Sequence, residues 1–204
     1  MIAILNYGSG NIGSIKNMLN RLGASSYIAN SANDLSKATK LILPGVGSFD
    51  SAMSSINSMN NLRNTLDLLV HNKKIPVLGL CLGMQILTNS SEEGKLPGLG
   101  WIDGVTLKFP SGLDCKIPHM GWSGINKQGH SPLTSSLKGD EKFYFVHSYY
   151  VKALKHDNVM LTSKHGIQFD SGISRQNIYG VQFHPEKSHK NGFKIFQDFI
   201  NIRS

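Results

Sequence analysis

Through its first half the chain alternates short apolar runs with segments of helical spacing, and that alternation is what most restricts its fold. Met1–Asn6 reads as a buried strand broken by Gly8-Ser9-Gly10. Ile12, Ile15, Met18, Leu19 and Leu22 then recur at helical spacing, closed by Gly23 at the C-cap. Ser26–Ala29 and Lys40–Leu43 are predicted strands, and Phe49–Met59 and Leu62–His71 predicted helices. Ile75–Leu80 is a further strand, feeding Cys81 and a helix expected to run through Thr88. Strands that alternate with helices, each almost wholly apolar, fit a parallel sheet covered on both faces.

The second half changes texture. Gly104–Phe109, Lys142–Val146, Tyr149–Ala153, Val159–Ser163, Ile167–Phe169 and Ile178–Phe183 are strand-like and separated by glycine and polar turns. A last amphipathic helix carries Phe193, Phe196, Phe199 and Ile200. With no repeat, low-complexity tract or linker, the expectation is one domain over residues 1–204. Its class is α/β, a mostly parallel sheet with helices on both faces and additional antiparallel strands.

Composition narrows the functional classes. The chain has 21 Lys+Arg against 13 Asp+Glu, a net charge of +8. These basic residues are scattered singly apart from Lys73-Lys74, which favours a solvated surface over a nucleic-acid footprint. No run approaches the ~20 apolar residues of a membrane span. Cys81 and Cys115 are too few for a disulfide scaffold. The expectation is a soluble cytosolic protein that binds neither membrane nor nucleic acid.

The two cysteines differ in context. Gly79-Leu80-Cys81-Leu82-Gly83 places Gly-x-Cys-x-Gly directly after a buried strand, the sulfur version of a nucleophile elbow. Such a turn projects the side chain above the sheet edge, and the glycines avoid clashes. The helix that follows would aim its first N–H groups at the sulfur, and the Leu82 N–H at an oxyanion. An inert buried thiol is the competing reading. Cys115, between Asp114 and Lys116, has no such setting.

A nucleophilic cysteine needs a base, and the base needs an orienting group. Near the C-terminus a predicted strand ends in Gln182-Phe183-His184-Pro185-Glu186. Pro185 disfavours the helical region for His184. In extended backbone, residues two apart point the same way, so Glu186 is expected to reach the His184 ring. A surface pair is the bland alternative for any lone His-x-Glu. Together with the elbow, the pair predicts a Cys81–His184–Glu186 triad. His184 and His189 lack a third ligand at metal-site spacing, so neither metal nor cofactor is expected.

Gly-Leu-Cys-Leu-Gly-Met-Gln at 79–85 with Gln-Phe-His-Pro-Glu-Lys-Ser at 182–188 resembles the class I, triad-type glutamine amidotransferases. Four more segments sharpen the likeness: Asn6–Asn11, Leu43–Phe49, Pro118–Trp122 and Phe145–Tyr149. With them the chain is similar, essentially end to end, to the glutaminase subunits of imidazole glycerol phosphate synthase in histidine biosynthesis. The resemblance implies that Cys81 attacks the side-chain carbonyl of L-glutamine, forming a thioester and releasing ammonia while His184 carries the proton. It implies oxyanion donors at Leu82 and in the Pro44–Gly47 loop, at Val46 and Gly47, and glutamine contacts at Gln85, Ser148 and Tyr149. It also implies a separate (β/α)8-barrel cyclase subunit as heterodimer partner, faced by Asn11, Trp122 and Lys187.

The chain departs from the family's usual Pro-His-Met-Gly-Trp-Asn segment, having Ser at 123, and carries Trp101 in the stretch Leu99-Gly100-Trp101-Ile102, which is more variable among the histidine-pathway proteins it resembles. Both are read as places where a partner contact differs. One alternative is therefore a paralogue that supplies ammonia to a synthase making an amidino group on a surface-polysaccharide sugar. Two further readings are an intracellular cysteine peptidase, which needs an open cleft, and a binding subunit without catalysis. Glutaminase activity that rises when a cyclase is added separates these three classes.

Overall fold

The computed structural model describes residues 1–203. Strands β1 (Ile2–Leu5), β2 (Ser26–Ala29), β3 (Lys40–Leu43) and β4 (Val77–Leu80) alternate with helices α1 (Ile12–Arg21), α2 (Phe49–Ser58), α3 (Leu62–Asp67) and the short α4 (Leu82–Gln85). There follow β5 (Ser90–Ser91), β6 (Gly104–Lys108), β7 (His119–Gly124), β8 (Asn126–Lys127), β9 (Lys142–His147) and β10 (Tyr149–Ala153). The chain closes with β11 (Val159–His165), β12 (Ile167–Arg175), β13 (Ile178–Val181) and α5 (His189–Asn201).

The main sheet runs β2-β1-β3-β4-β13-β12-β10-β6-β5, with β11 on β12 and β8 on β11. From β2 to β13 every pairing is parallel, whereas β12 joins β13, β10 and β11 antiparallel. A separate antiparallel pair is formed by β7 and β9. Alternation along β1 divides the core into two layers. Ala3 and Leu5 face a cluster holding Phe49, Met53 and Ile56 of α2 and Leu62 and Leu66 of α3. Ile2 and Ile4 face another, holding Ile15 and Leu19 of α1 and Phe196 and Phe199 of α5. Both faces of the parallel half are thus covered by helices. Among the described residues no helix is long and apolar enough to cross a membrane.

Several elements differ from the sequence expectation, among them the helix expected over Leu62–His71, which is α-helical to Asp67 and then widens into a π turn. The helix after Cys81 stops at Gln85 rather than Thr88. After Gln85 the chain tightens, the Leu87 and Thr88 N–H groups bonding the Met84 and Gln85 carbonyls three residues back, and amides of Leu99, Trp101 and Gly100 take the carbonyls of Ile86, Leu87 and Thr88. Strand β12 extends past Phe169 to Arg175, because its small polar residues are satisfied internally; Ser171 Oγ lies 2.8 Å from Ser163 Oγ. Strand β7 lacks the apolar alternation of a strand, with two glycines and a serine, and is held by register with β9 from His119↔His147 to Gly124↔Lys142.

Candidate active site

The site is assembled by one parallel pairing. Strands β4 and β13 are neighbours with Leu80 opposite Val181, and the Cys81 N–H donates to the Val181 carbonyl at 2.8 Å. Both chains therefore leave the sheet at the same edge, one into Cys81 and the other into Gln182-Phe183-His184. Cys81 takes φ 53° and ψ −108°, a left-handed conformation costing on the order of 1–3 kcal/mol for a residue with a Cβ. The elbow is tight enough that a Cβ on Gly83 would sit 1.9 Å from the Leu43 carbonyl oxygen. That close approach fixes glycine there.

Cys81 is 6% exposed, with Gln182 Nε2 donating to its sulfur at 3.6 Å and the Val146 carbonyl oxygen at 4.0 Å. His184 Nδ1 lies 2.8 Å from Glu186 Oε1, both side chains being almost fully buried. Glu186 does not reach the ring along extended backbone. Pro185–Lys187 form a tight helical turn, with Ser188 Oγ donating to the His184 carbonyl at 2.7 Å, and the turn swings the carboxylate back. His184 Nε2 and Glu186 Oε2 are buried without hydrogen-bond partners among the described residues.

Burial disfavours the charged imidazole, but the nearby Cys81 sulfur and the Glu186 carboxylate hydrogen-bonded to Nδ1 outweigh it, raising the His184 pKa from 6.5 to about 10. Tyr7, buried and donating to the Pro44 carbonyl, has its pKa pushed far up by burial and then by the charge of Cys81.

A cavity of about 360 Å³ opens over the sulfur, at the lower end of the range for small-ligand sites. Leu82 and Gln85 line it beside Cys81; Val46 and Gly47 form one wall, and Ser148 and Tyr149 another. As the first residue of α4, Leu82 has an N–H with no intrahelical acceptor. The Met84 and Gln85 N–H groups that follow donate to the Cys81 carbonyl. The Val46 N–H is not free: it donates to Ser9 Oγ at 2.9 Å, and the Ser9 hydroxyl also bonds the Val46 carbonyl. Gln85 Nε2 donates to the Tyr149 carbonyl at 3.1 Å and to Gln182 Oε1 at 3.2 Å, leaving its own carbonyl oxygen for a ligand.

The three residues expected to face a partner are all exposed. Asn11 caps α1, its Oδ1 accepting from the Ser14 N–H at 3.3 Å. Trp122 is 46% exposed and stacked on His189, with ring centroids 5.5 Å apart and planes 5° from parallel. It also contacts Tyr144 edge-on, and Lys187 Nζ lies over the same Tyr144 ring. Trp101, by contrast, is 1% exposed and donates through Nε1 to Asp67 at 2.7 Å. It belongs to the core and offers no partner contact. Cys115 packs against Gly166 in the β11–β12 turn.

Sequence reading missed several residues here. Glu93 lines the cavity while its Oε2 accepts from the Phe49 N–H at 2.9 Å, at the start of α2. Nothing in Ser91-Glu92-Glu93 distinguishes it from its acidic neighbour, since only the turn after β5 directs it inward. Gln182 lay inside a quoted motif, yet its bond to sulfur depends on the pairing of β13 with β4.

The family described as Glutamine amidotransferase class-I matches residues 3–202. The chain is 51% identical over 200 residues to "Imidazole glycerol phosphate synthase subunit HisH 2" of Methanococcus maripaludis, covering 98% of each chain. It is 44% identical over 202 residues to the Pseudomonas aeruginosa protein of the same name, covering 99% of this chain and 100% of that one. Among solved structures, PurLQS from Thermotoga maritima superposes with a TM-score of 0.76 at 19% identity, over 98% of this chain and 97% of that one. A fold shared at that distance, a family match over nearly the whole length and relatives well above the threshold of common descent agree with the strand-edge cysteine and its buried His–Glu neighbour: this chain belongs to the class I glutamine amidotransferase family.

Proposed function

We propose that this protein is the glutaminase subunit of an imidazole glycerol phosphate synthase, hydrolysing L-glutamine at Cys81 and passing ammonia to a cyclase subunit. The observation that carries the reading is the shared edge of β4 and β13, where Cys81 lines a cavity of amino-acid size and the chain leaving β13 carries the buried His184–Glu186 pair. The thiol proton of Cys81 already rests on His184, whose raised pKa holds it there, when sulfur adds to the side-chain carbonyl of glutamine. His184 then delivers that proton to the departing nitrogen, and ammonia leaves as the C–N bond breaks. Water attacks the resulting thioester, giving a proton to His184 that returns to sulfur as the C–S bond breaks. Glutamate is released. Each tetrahedral oxyanion is stabilised by the Leu82 N–H and by an amide of the Val46–Gly47 segment.

Ammonia released into water is mostly protonated and useless as a nucleophile, so the reading requires a synthase docked over the cavity. A (β/α)8-barrel cyclase is the partner we assign, in a cytoplasmic heterodimer contacted by Asn11, Trp122 and Lys187. The deciding assay is glutaminase activity with and without that cyclase. Activity on glutamine that rises on adding the barrel supports the reading; peptide cleavage alone rejects it.

The Ser9 hydroxyl holds Val46 by both its N–H and its carbonyl, so an amide turned towards the oxyanion must first leave Ser9. Ser9→Ala is expected to raise glutaminase activity without cyclase about fivefold, the equivalent of one net hydrogen bond. Steady-state ammonia release by the isolated subunit measures this, and an unchanged rate removes Ser9 as a restraint. Trp122→Ala is expected to weaken cyclase affinity by about 30-fold, as for a central interface aromatic, while the melting temperature shifts little. Titration calorimetry with the cyclase checks it.

A second reading keeps the chemistry and changes the acceptor to an amidino-sugar synthase. Both quoted relatives are named as a numbered second subunit in their organisms, which is the observation favouring it. Stimulation by the sugar synthase but not by the cyclase decides for it.

A further inference from the structure

At the cavity wall, which His147 helps to line, lie three imidazoles that the reaction above does not use. His119 and His147, facing each other across the β7–β9 pair, are 2% and 6% exposed, and their Nδ1 and Nε2 atoms lie 3.0 Å apart. The other nitrogen of His119, Nε2, is 2.8 Å from Ser123 Oγ, and the other nitrogen of His147, Nδ1, is 2.7 Å from the Tyr149 carbonyl oxygen. His165 stacks on His119 with centroids 4.1 Å apart and is itself bonded to the Lys116 carbonyl.

The proton positions in this chain follow from its far end. The Tyr149 carbonyl only accepts, so His147 Nδ1 carries hydrogen. Burial and neighbouring imidazoles lower the pKa of His147 to about 3 and that of His119 to about 4, so both rings are neutral near pH 7. Neutral His147 then accepts at Nε2, which makes His119 Nδ1 the donor. His119 accepts at Nε2, and the Ser123 hydroxyl donates. Every bond runs one way, from Ser123 to Tyr149. Ser123 can turn to His119 four residues earlier on the same strand because Gly121 between them takes φ +129°, a conformation that favours glycine.

We propose that Ser123, His119 and His147 form a one-directional hydrogen-bond relay that positions the Tyr149 carbonyl, and with it the Ser148–Tyr149 wall that receives glutamine. The Tyr149 carbonyl is the junction, since Gln85 Nε2 also donates to it. These are positioning residues that act through Tyr149. The relay also gives position 123, where this chain departs from the family's usual asparagine, a role: what the site needs there is a donor, and serine and asparagine both supply one.

The inference rests on the glutaminase reading, and two measurements separate their failures. Imidazole nitrogen NMR of the wild-type protein, without glutamine, is expected to show both His119 and His147 as Nδ1–H tautomers. An Nε2–H form of either ring overturns the relay whatever the enzyme's activity. In the cyclase complex, Ser123→Ala is expected to raise KM for glutamine about fivefold with kcat nearly unchanged, the loss of one net hydrogen bond in ground-state binding. Ser123→Thr and Ser123→Asn, which restore a donor, are expected to return KM towards wild type. An unchanged KM in the alanine variant, or no rescue by either donor, overturns the relay alone. A wild-type complex inert towards glutamine sinks the glutaminase reading, and with it the purpose given to the relay.

Discussion

Cys81→Ala is expected to reduce glutamine-dependent turnover of the subunit–cyclase complex by about ten-thousand-fold or more, while ammonium salts continue to drive the cyclase. The magnitude follows from removing a nucleophile whose partners cannot act without it. Alanine keeps the same Cβ at φ 53°, so the elbow's backbone strain is unchanged and the variant loses only a sulfur from a nearly closed site. Retention of ammonia-dependent synthesis is the internal control, because it reports a folded, docked complex whose second active site is intact. Glutamine-dependent and ammonium-dependent product formation, measured side by side, check the expectation. A variant that still hydrolyses glutamine means that another residue is the nucleophile.

The second large effect belongs to Glu186→Gln. The carboxylate accepts from the His184 ring at 2.8 Å in a site where both side chains are almost fully buried, so it fixes the tautomer and stabilises the imidazolium. By analogy with other triads, loss of the charge is expected to lower kcat by about 10³- to 10⁴-fold, with KM for glutamine little affected. A drop of less than tenfold removes Glu186 from the triad.

The same substitution has a signature in stability. His184 has a folded pKa raised from 6.5 to about 10, so its protonated form stabilises the native state fully below about pH 6.5, and that contribution is lost as pH rises towards 10. Removing one of the groups that raise this pKa is expected to flatten the decline in unfolding free energy between pH 7 and 9.5. Denaturant titrations across that window test it. Identical slopes in variant and wild type mean that Glu186 does not hold the proton on His184.

Much of the parallel half was legible because its strands are apolar on both faces and its helices keep one apolar stripe. Ser26–Ala29 and Lys40–Leu43 have the same bounds in sequence and structure. The antiparallel half was less legible. Strand β7 carries glycine, serine and an exposed tryptophan, and its partner β9, not its own pattern, makes it a strand. The helix after Cys81 was overestimated because Leu82–Thr88 suits a helix locally. The N–H donors that take up the next carbonyls, at Ile86, Leu87 and Thr88, come from residues 99–102, beyond any local rule. Trp101 shows the converse, since a tryptophan among glycines gives no sign in sequence that it will be buried against Asp67.

What the sequence determined by itself was local and chemical: a cysteine between paired glycines at a strand end, a histidine followed two residues on by a glutamate, and apolar patterns that require a covered parallel sheet. Tertiary structure alone decided which groups meet. The pairing of β4 with β13 brings residues 81 and 184 to one edge, the turn at Pro185 swings Glu186 onto its histidine, and Ser9 takes the Val46 N–H. The Ser123–His119–His147 chain exists only because β7 and β9 pair in one register. Hydrogen bonds depend on distances of about 3 Å between groups far apart along the chain, and periodicity in sequence carries no information at that range.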